Sequence, residues 1–220
     1  MRRLILAIAT LVVLGLPATA FADTLTFVPS PRDLNDLDHH SVYTWRIDNV
    51  NLNGQTITGV RLTFSNIRNW DTNPNRLFVH LLDTARGSGV RSFIDDPTNS
   101  SPVTDITDDF ANPRFHNDPN WLVAAGTGDT FLTSRSFGTT PETFVYNFTQ
   151  AEISALAAYI ANGGNFALGF DPDCHFFNDG ITLTIYTEKN AVPEPTTMVL
   201  LGTGLAGAYL RRKRRLAKVE

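Results

Sequence analysis

The residues best suited to chemistry in this sequence are aspartates on short, polar loops. Asp171 and Asp173 are separated by one residue, and Asn178 and Asp179 follow before the next apolar run. Closely spaced carboxylate and amide oxygens are the ligands that Ca²⁺ prefers. We therefore predict that Asp171 and Asp173 help to hold one structural Ca²⁺, with ordinary turn formation as the alternative. A second acidic loop that could serve the same purpose contains Asp105, Asp108 and Asp109.

Two tryptophans have surroundings that suit sugar binding. Trp70 and Trp121 both lie in stretches rich in Asp, Asn and Pro, which are typical of surface loops. An exposed indole ring can stack on the apolar face of a sugar. We predict that Trp70 and Trp121 contribute to a ligand-binding surface for carbohydrate, and the alternative is that both rings anchor loops onto the core.

The spacings that identify common catalytic sites are missing from the sequence. It has no G-x-S-x-G motif, and its five histidines form neither H-E-x-x-H nor H-x-H. Cys174 and His175 are adjacent, so in a strand they would point to opposite faces rather than form a nucleophile and its base. The sequence therefore favours a non-enzymatic protein. Because paired acids can hydrolyse glycosidic bonds, an extracellular polysaccharide hydrolase or lyase on the same fold is the alternative.

The elements that must position these residues are mostly strands. Apolar and polar residues alternate in the runs 43–47, 60–65, 144–148, 166–170 and 181–186. A period of two is typical of half-buried strands. Leu77–Leu82 is apolar on both faces apart from His80, which indicates a central strand. We predict an all-β fold, an antiparallel β-sandwich with about eight strands and a jelly-roll topology.

One short helix is predicted between two of these strands. Thr149 and Glu152 have the spacing of a capping box. The apolar residues that follow form one stripe of a helix, and they are Ile153, Leu156, Ala157 and Ile160. The glycines after Asn162 can end the helix in the left-handed conformation. The spacing therefore predicts a helix near residues 149–161.

The N-terminus has the three parts of a secretory signal peptide. Arg2 and Arg3 precede the apolar run Leu4–Leu16, and small residues follow. We predict cleavage after Ala22, with cleavage after Ala20 as a second site. An uncleaved anchor is the alternative, although the apolar run is short for a membrane span. The signal peptide predicts export through the Sec translocon.

The C-terminus combines a Pro-Glu-Pro triplet, an apolar stretch and a basic block. Pro193, Glu194 and Pro195 precede the apolar residues 196–210, and the basic residues 211–215 come next. About 15 residues at a rise of about 1.5 Å span roughly 22 Å, which is short for a hydrocarbon core of about 30 Å. This length suits a transient membrane anchor, and an ordinary tail-anchored protein is the alternative.

This three-part order resembles the PEP-CTERM sorting signal of Gram-negative bacteria. The resemblance implies an exported protein that is held transiently in the inner membrane. It also implies cleavage near Pro193, Glu194 and Pro195 by an exosortase, a membrane cysteine protease. A G-x-G-x-x-G match at 202–207 lies inside the apolar stretch, without the strand and βαβ unit that nucleotide binding requires.

The sequence therefore divides into a signal peptide at 1–22, a β-sandwich domain at 23–190 and a sorting signal at 191–220. The middle segment carries ten basic and twenty acidic residues, a net charge of −10, which excludes sequence-independent nucleic-acid binding. We expect an exported, surface-associated or secreted protein that acts in adhesion or binds the extracellular polysaccharide matrix of a biofilm. A purely structural role in that matrix is a third alternative.

Overall fold

Strands with alternating buried and exposed side chains make up most of this computed structural model, which describes residues 22–38, 40–94, 108–111, 118–189 and 195–216. The chain divides into a β-sheet body, Ala22–Glu188, and a separate unit that includes the C-terminal helix. In chain order the strands are β1 (Ala22–Phe27), β2 (Ser41–Ile47), β3 (Gln55–Asn69), β4 (Arg76–Leu82), β5 (Gly89–Ile94), β6 (Asp129–Ser136), β7 (Glu142–Asn147), β8 (Phe166–Pro172), β9 (Phe176–Phe177) and β10 (Gly180–Lys189). The helices are α1 (Gln150–Gly163) and α2 (Pro195–Leu216).

The strands form two antiparallel sheets. The first sheet has the order β1-β10-β3-β7, with β9 paired to β3, and the second has the order β5-β2-β8-β4-β6. Side chains from both sheets share one hydrophobic core, in which the rings of Phe64 and Phe170 meet edge to face at 6.0 Å. The all-β prediction is confirmed, and a sandwich fits the two sheets. The jelly-roll topology stays a prediction.

The second sheet is buried on both faces over part of its area. Every residue of β8 is buried, and its outer side supports a second hydrophobic cluster. The members of this cluster from the strands and from the loops that cover them are Val42, Leu82, Ala85, Phe110, Trp121, Leu122, Val123 and Ala167. Glycine at position 169 allows the Phe110 ring to pack directly on β8, because a Cβ there would lie 2.5 Å from that ring.

Helix α1 begins and ends as its sequence predicts. Thr149 Oγ1 accepts a hydrogen bond from the Glu152 backbone N–H, and Glu152 Oε2 accepts one from the Thr149 N–H at 2.7 Å. Gly164 ends the helix with a φ of 65°, a conformation that glycine adopts without a steric penalty. The apolar stripe of Ile153, Leu156 and Ile160 is buried. The helix prediction in the body is confirmed.

The C-terminal unit contains α2, which includes the predicted apolar stretch and continues into the basic block. Its described apolar side chains are exposed, with Val199 at 63% and Tyr209 at 66%. Among the helices that the structure describes, none combines the length and the apolar character that a membrane span requires. The transient membrane anchor stays a prediction.

Candidate functional site

Strands β3 and β9 place three aromatic side chains on one face of the first sheet. Arg68 pairs with Phe177, and the Trp70 N–H donates a hydrogen bond to the His175 carbonyl oxygen at 3.1 Å. Directly opposed residues in an antiparallel pair point to the same side of the sheet. Asn69 and its partner are buried, so the residues on either side of Asn69 face outward. We call Trp70, His175 and Phe177 the aromatic platform.

Two rings of the platform, those of His175 and Phe177, contact each other. The ring centroids of His175 and Phe177 are 4.6 Å apart, and the Arg68 guanidinium carbon lies 4.9 Å from the Phe177 centroid. The Trp70 side chain is 58% exposed. Burial raises the pKa of the nearby Cys174 thiol, so this thiol stays neutral at neutral pH. The indole ring of Trp70 is thus largely open to solvent beside a neutral neighbour.

A set of amide and carboxylate side chains borders Trp70. Asp71 Oδ1 accepts hydrogen bonds from the Asn73 N–H and from Asn75 Nδ2, both at 2.9 Å. Asp71 Oδ2 accepts a third from Asn73 Nδ2 at 2.6 Å, and Asn69 Oδ1 accepts one from Asn75 Nδ2 at 3.1 Å. We call Asp71, Asn73 and Asn75 the polar rim. Its hydrogen bonds hold this loop in one conformation beside the platform.

The prediction that Trp121 offers its ring to a sugar is wrong. Trp121 is 1% exposed and packs against Phe93 and Phe110, with ring centroids 5.1 Å and 5.7 Å away. The outer side of the second sheet is apolar here. Packing the Trp121 ring against it removes apolar surface of both the ring and the sheet from water, which stabilises the fold. Trp70 is exposed as expected, and its role in binding stays a prediction.

The predicted calcium ligand Asp171 lies in strand β8 rather than in a turn. It is 3% exposed, and its Oδ2 accepts a hydrogen bond from the Asp109 N–H at 2.8 Å. Burial raises the pKa of Asp171 well above its ordinary value, and the neighbouring Asp109 carboxylate raises it further. The structure therefore brings together one residue from each of the two acidic loops that the sequence singled out.

The second predicted ligand, Asp173, and the residues that close the same loop have separate partners. Asp173 Oδ2 accepts a hydrogen bond from the Arg76 N–H at 3.2 Å. The Asn178 N–H donates to Asp36, and Asp179 accepts from Asn66. Within the described ranges, no group of three or more His, Cys, Asp or Glu side chains is placed to hold a metal ion. Asp105 lies outside the described residues, and the calcium site stays a prediction.

Comparison with known proteins decides the identity of the C-terminal segment. Residues 191–215 match the model of the PEP-CTERM protein-sorting motif. The chain carries a PEP-CTERM sorting signal. No match was found among the curated proteins, and none among the solved structures. The three sorting residues, Pro193, Glu194 and Pro195, fall inside the match, although the first two lie outside the described part of the chain.

The PEP-CTERM motif supports an exported protein that an exosortase processes and that ends at the cell surface or outside the cell. The aromatic platform belongs to the β-sheet body of this exported chain, and not to the sorting segment.

Sequence reasoning missed a buried ion pair on strand β4. His80 is 2% exposed, and its Nδ1 and Nε2 lie 2.8 Å from Asp129 Oδ1 and 2.9 Å from Asp108 Oδ2. Burial by itself lowers the pKa of His80, but the hydrogen bonds to Asp108 and Asp129 outweigh it and raise this pKa to about 9. The imidazolium donates to both carboxylates, so neither nitrogen is free to act as a base. A lone histidine inside an apolar strand was the only available signal.

The His80 ion pair fixes the loop that covers the second sheet. Asp108 Oδ1 accepts from the N–H groups of Phe110 and Ala111, at 3.1 Å and 3.4 Å. Beside it is a cavity of about 60 Å³, whereas pockets for small molecules begin at about 300 Å³. It is lined by Leu82, Phe110, Trp121, Val123, Ala124, Ala125, Gly126, Thr127 and Asp129. The His80 ion pair therefore has a structural role, and the cavity beside it is too small for a ligand. The aromatic platform is the candidate site.

Proposed function

We propose that this exported protein binds extracellular polysaccharide through the aromatic platform, and that it acts in adhesion or within the polysaccharide matrix. The observation that carries the proposal is Trp70, which is 58% exposed although it is the kind of side chain that folding usually buries. It lies beside two other rings and an ordered polar rim.

The chemistry of the platform and rim matches the two kinds of surface on a sugar ring. A pyranose has an apolar face of C–H groups, which can stack on an indole or a phenyl ring. Its hydroxyl groups point sideways, where they can exchange hydrogen bonds with carboxylate and amide groups such as those of Asp71 and Asn73. A rim that is already ordered loses little entropy on binding, which favours affinity.

Two further expectations belong to the same proposal. We infer that the protein is not an enzyme, because the acids with strong contacts in the body are engaged in fixing the fold. Examples are Asp171, bonded to the Asp109 N–H, and Glu152, which caps α1.

We also infer that Sec-dependent export, removal of residues 1–22 and transient anchoring in the inner membrane precede exosortase cleavage near Pro193–Pro195. Mass spectrometry of protein recovered from the host surface tests the cleavage, and recovery of an intact basic tail would contradict it.

The binding proposal is tested by retention of the protein in gels that contain polysaccharides from matrix and plant sources. Trp70→Ala should abolish retention, whereas Trp70→Phe should keep most of it because a flat ring remains. Ile94→Ala is the matched control, since Ile94 is 60% exposed on the other sheet. Equal retention of Trp70→Ala and the unchanged protein contradicts the proposal. Release of reducing ends from a retained polysaccharide would instead favour the hydrolase or lyase alternative.

A further inference from the structure

The outer face of the first sheet continues from the aromatic platform as a surface of hydroxyl side chains. Thr24 and Thr26 on β1 pair with Tyr186 and Thr184 on β10. The residues between them in sequence point inward to the core, so the paired side chains point outward. We call this surface the hydroxyl face, and its members are Thr24, Thr26, Thr63, Ser65, Thr182, Thr184 and Tyr186.

Tyr186 lies on β10, between β1 and β3, and adds an aromatic ring to the hydroxyl face. Its side chain lies over Gly59, where an added Cβ would be 3.4 Å from Tyr186 Cδ2. The Arg61 guanidinium carbon is 5.8 Å from the ring centroid, and Thr58 Oγ1 donates a hydrogen bond to the Tyr186 carbonyl oxygen. Because Gly59 has no side chain, the Tyr186 ring can lie close against strand β3.

Strand β3 connects the hydroxyl face with the aromatic platform. The chain runs along β3 from Gly59 beneath the Tyr186 ring to Trp70 at the platform. At about 3.3 Å per residue this distance is roughly 35 Å. Between the two rings, Thr63 and Ser65 occupy the outward positions, and Asn66 donates a hydrogen bond to Asp179. A ligand that touches both rings must therefore be long and extended.

The charge of this surface favours an uncharged ligand. Along β3 between Tyr186 and Trp70, the described charged side chains include Arg61, Arg68 and Asp179, so the charges on this path are few and of both signs. The segment 23–190 as a whole has a net charge of −10, counted from ten basic and twenty acidic residues. A polyanion would be repelled by this body, and a polycation would find few carboxylates on the face itself. An uncharged chain of hydroxyl-bearing rings meets neither obstacle.

We propose that a linear, uncharged polysaccharide chain lies along β3, in contact with the aromatic platform at one end and with Tyr186 at the other. This inference rests on the proposed function and deepens it, because it names the class of polysaccharide and a second contact point. Trp70 contacts ligands of any length, whereas Tyr186 contacts only chains long enough to reach it.

The test is isothermal titration of the full chain, purified in a zwitterionic detergent, with uncharged β-linked oligomers of glucose and of N-acetylglucosamine. A disaccharide, a tetrasaccharide and an octasaccharide of each type are compared. We expect the octasaccharide to bind more tightly than the shorter oligomers. Tyr186→Ala should weaken octasaccharide binding about tenfold, the effect of 1.4 kcal/mol, and leave disaccharide binding unchanged. Tyr186→Phe should restore it, and Ile94→Ala is the control for loss of exposed apolar surface.

The possible failures are distinguishable. An affinity that stops rising at the disaccharide, or a Tyr186→Ala variant that binds the octasaccharide normally, overturns the extended site and leaves the platform intact. Alginate oligomers that bind as tightly as the uncharged ones overturn the assignment of ligand class. Failure of every uncharged oligomer to bind overturns the inference, and Trp70→Ala without effect at any length overturns the proposed function itself.

Discussion

The ion pair of His80 with Asp108 and Asp129 should make the stability of the body depend on pH in a direction that the structure fixes. The pKa of His80 rises from 6.5 to about 9 on folding. Because the folded-state pKa is the higher one, the stabilisation is fully present below pH 6.5 and is lost as the pH rises through about 9. At about 1.4 kcal/mol per pKa unit, the free energy of unfolding should fall by about 3 kcal/mol over this interval.

The measurement is urea unfolding of the full chain at pH 6 and at pH 10, with His80→Gln as the variant. Glutamine carries no titrating proton, so the variant should lose most of the difference between the two pH values. His40→Gln is the matched control, because it removes a histidine that lies outside the buried ion pair, and it should behave as the unchanged protein. Since Asp108 holds Phe110, tryptophan fluorescence from the neighbouring Trp121 should report the same transition.

Two results would refute this reasoning. If His80→Gln and the unchanged protein lose equal stability between pH 6 and pH 10, other groups carry the pH dependence. If the unchanged protein is more stable at pH 10 than at pH 6, folding lowers the pKa of His80 instead of raising it, and His80 is neutral in the folded state.

Three other changes should separate structural residues from surface residues. Trp121→Ala should lower the free energy of unfolding in urea by about 3–5 kcal/mol, whereas Trp70→Ala should change it by less than about 0.5 kcal/mol; similar losses would place both rings in the core. Gly169→Ala should cost about 1–3 kcal/mol, because the added methyl would lie 2.5 Å from a neighbouring ring, and an unchanged midpoint in urea would mean that the covering loop moves freely. If Asp171 and Asp173 hold Ca²⁺, the melting temperature should be higher in millimolar Ca²⁺ than in EGTA, and the double Asp→Asn variant should not respond. Equal melting temperatures for the unchanged protein would reject the calcium site.

Local patterns in the sequence were sufficient for most of the strands and for helix α1. The alternation in 181–186 and the capping box at Thr149 each depend on neighbours within a few residues, so each could be interpreted without knowing the fold. The run Leu77–Leu82 was predicted as a central strand because it is apolar on both faces, and β4 indeed lies between β8 and β6.

Contacts between distant segments were beyond the sequence patterns. Trp121 follows a polar stretch without periodicity but begins the apolar run 121–125, a local signal of burial that did not indicate which sheet face its loop covers. The pairing of His80 with Asp108 and Asp129 joins residues from three separate segments. The aromatic platform likewise depends on β9, a strand of two residues that brings His175 and Phe177 beside Trp70. The exposed position of Trp70 could be expected, but its companions could not.

The first and last strands of the body lie side by side, with Ala22 opposite Glu188. Both ends of the body therefore lie beside Gln55, the first residue of β3. There the Thr187 hydroxyl donates a hydrogen bond to the Gln55 side chain. Trp70 follows the opposite end of β3. A mechanical load applied between a terminus and a ligand held at Trp70 would thus run parallel to the strands. The backbone hydrogen bonds of the ladder are perpendicular to the strands, so such a load would shear many of them together instead of breaking them one after another.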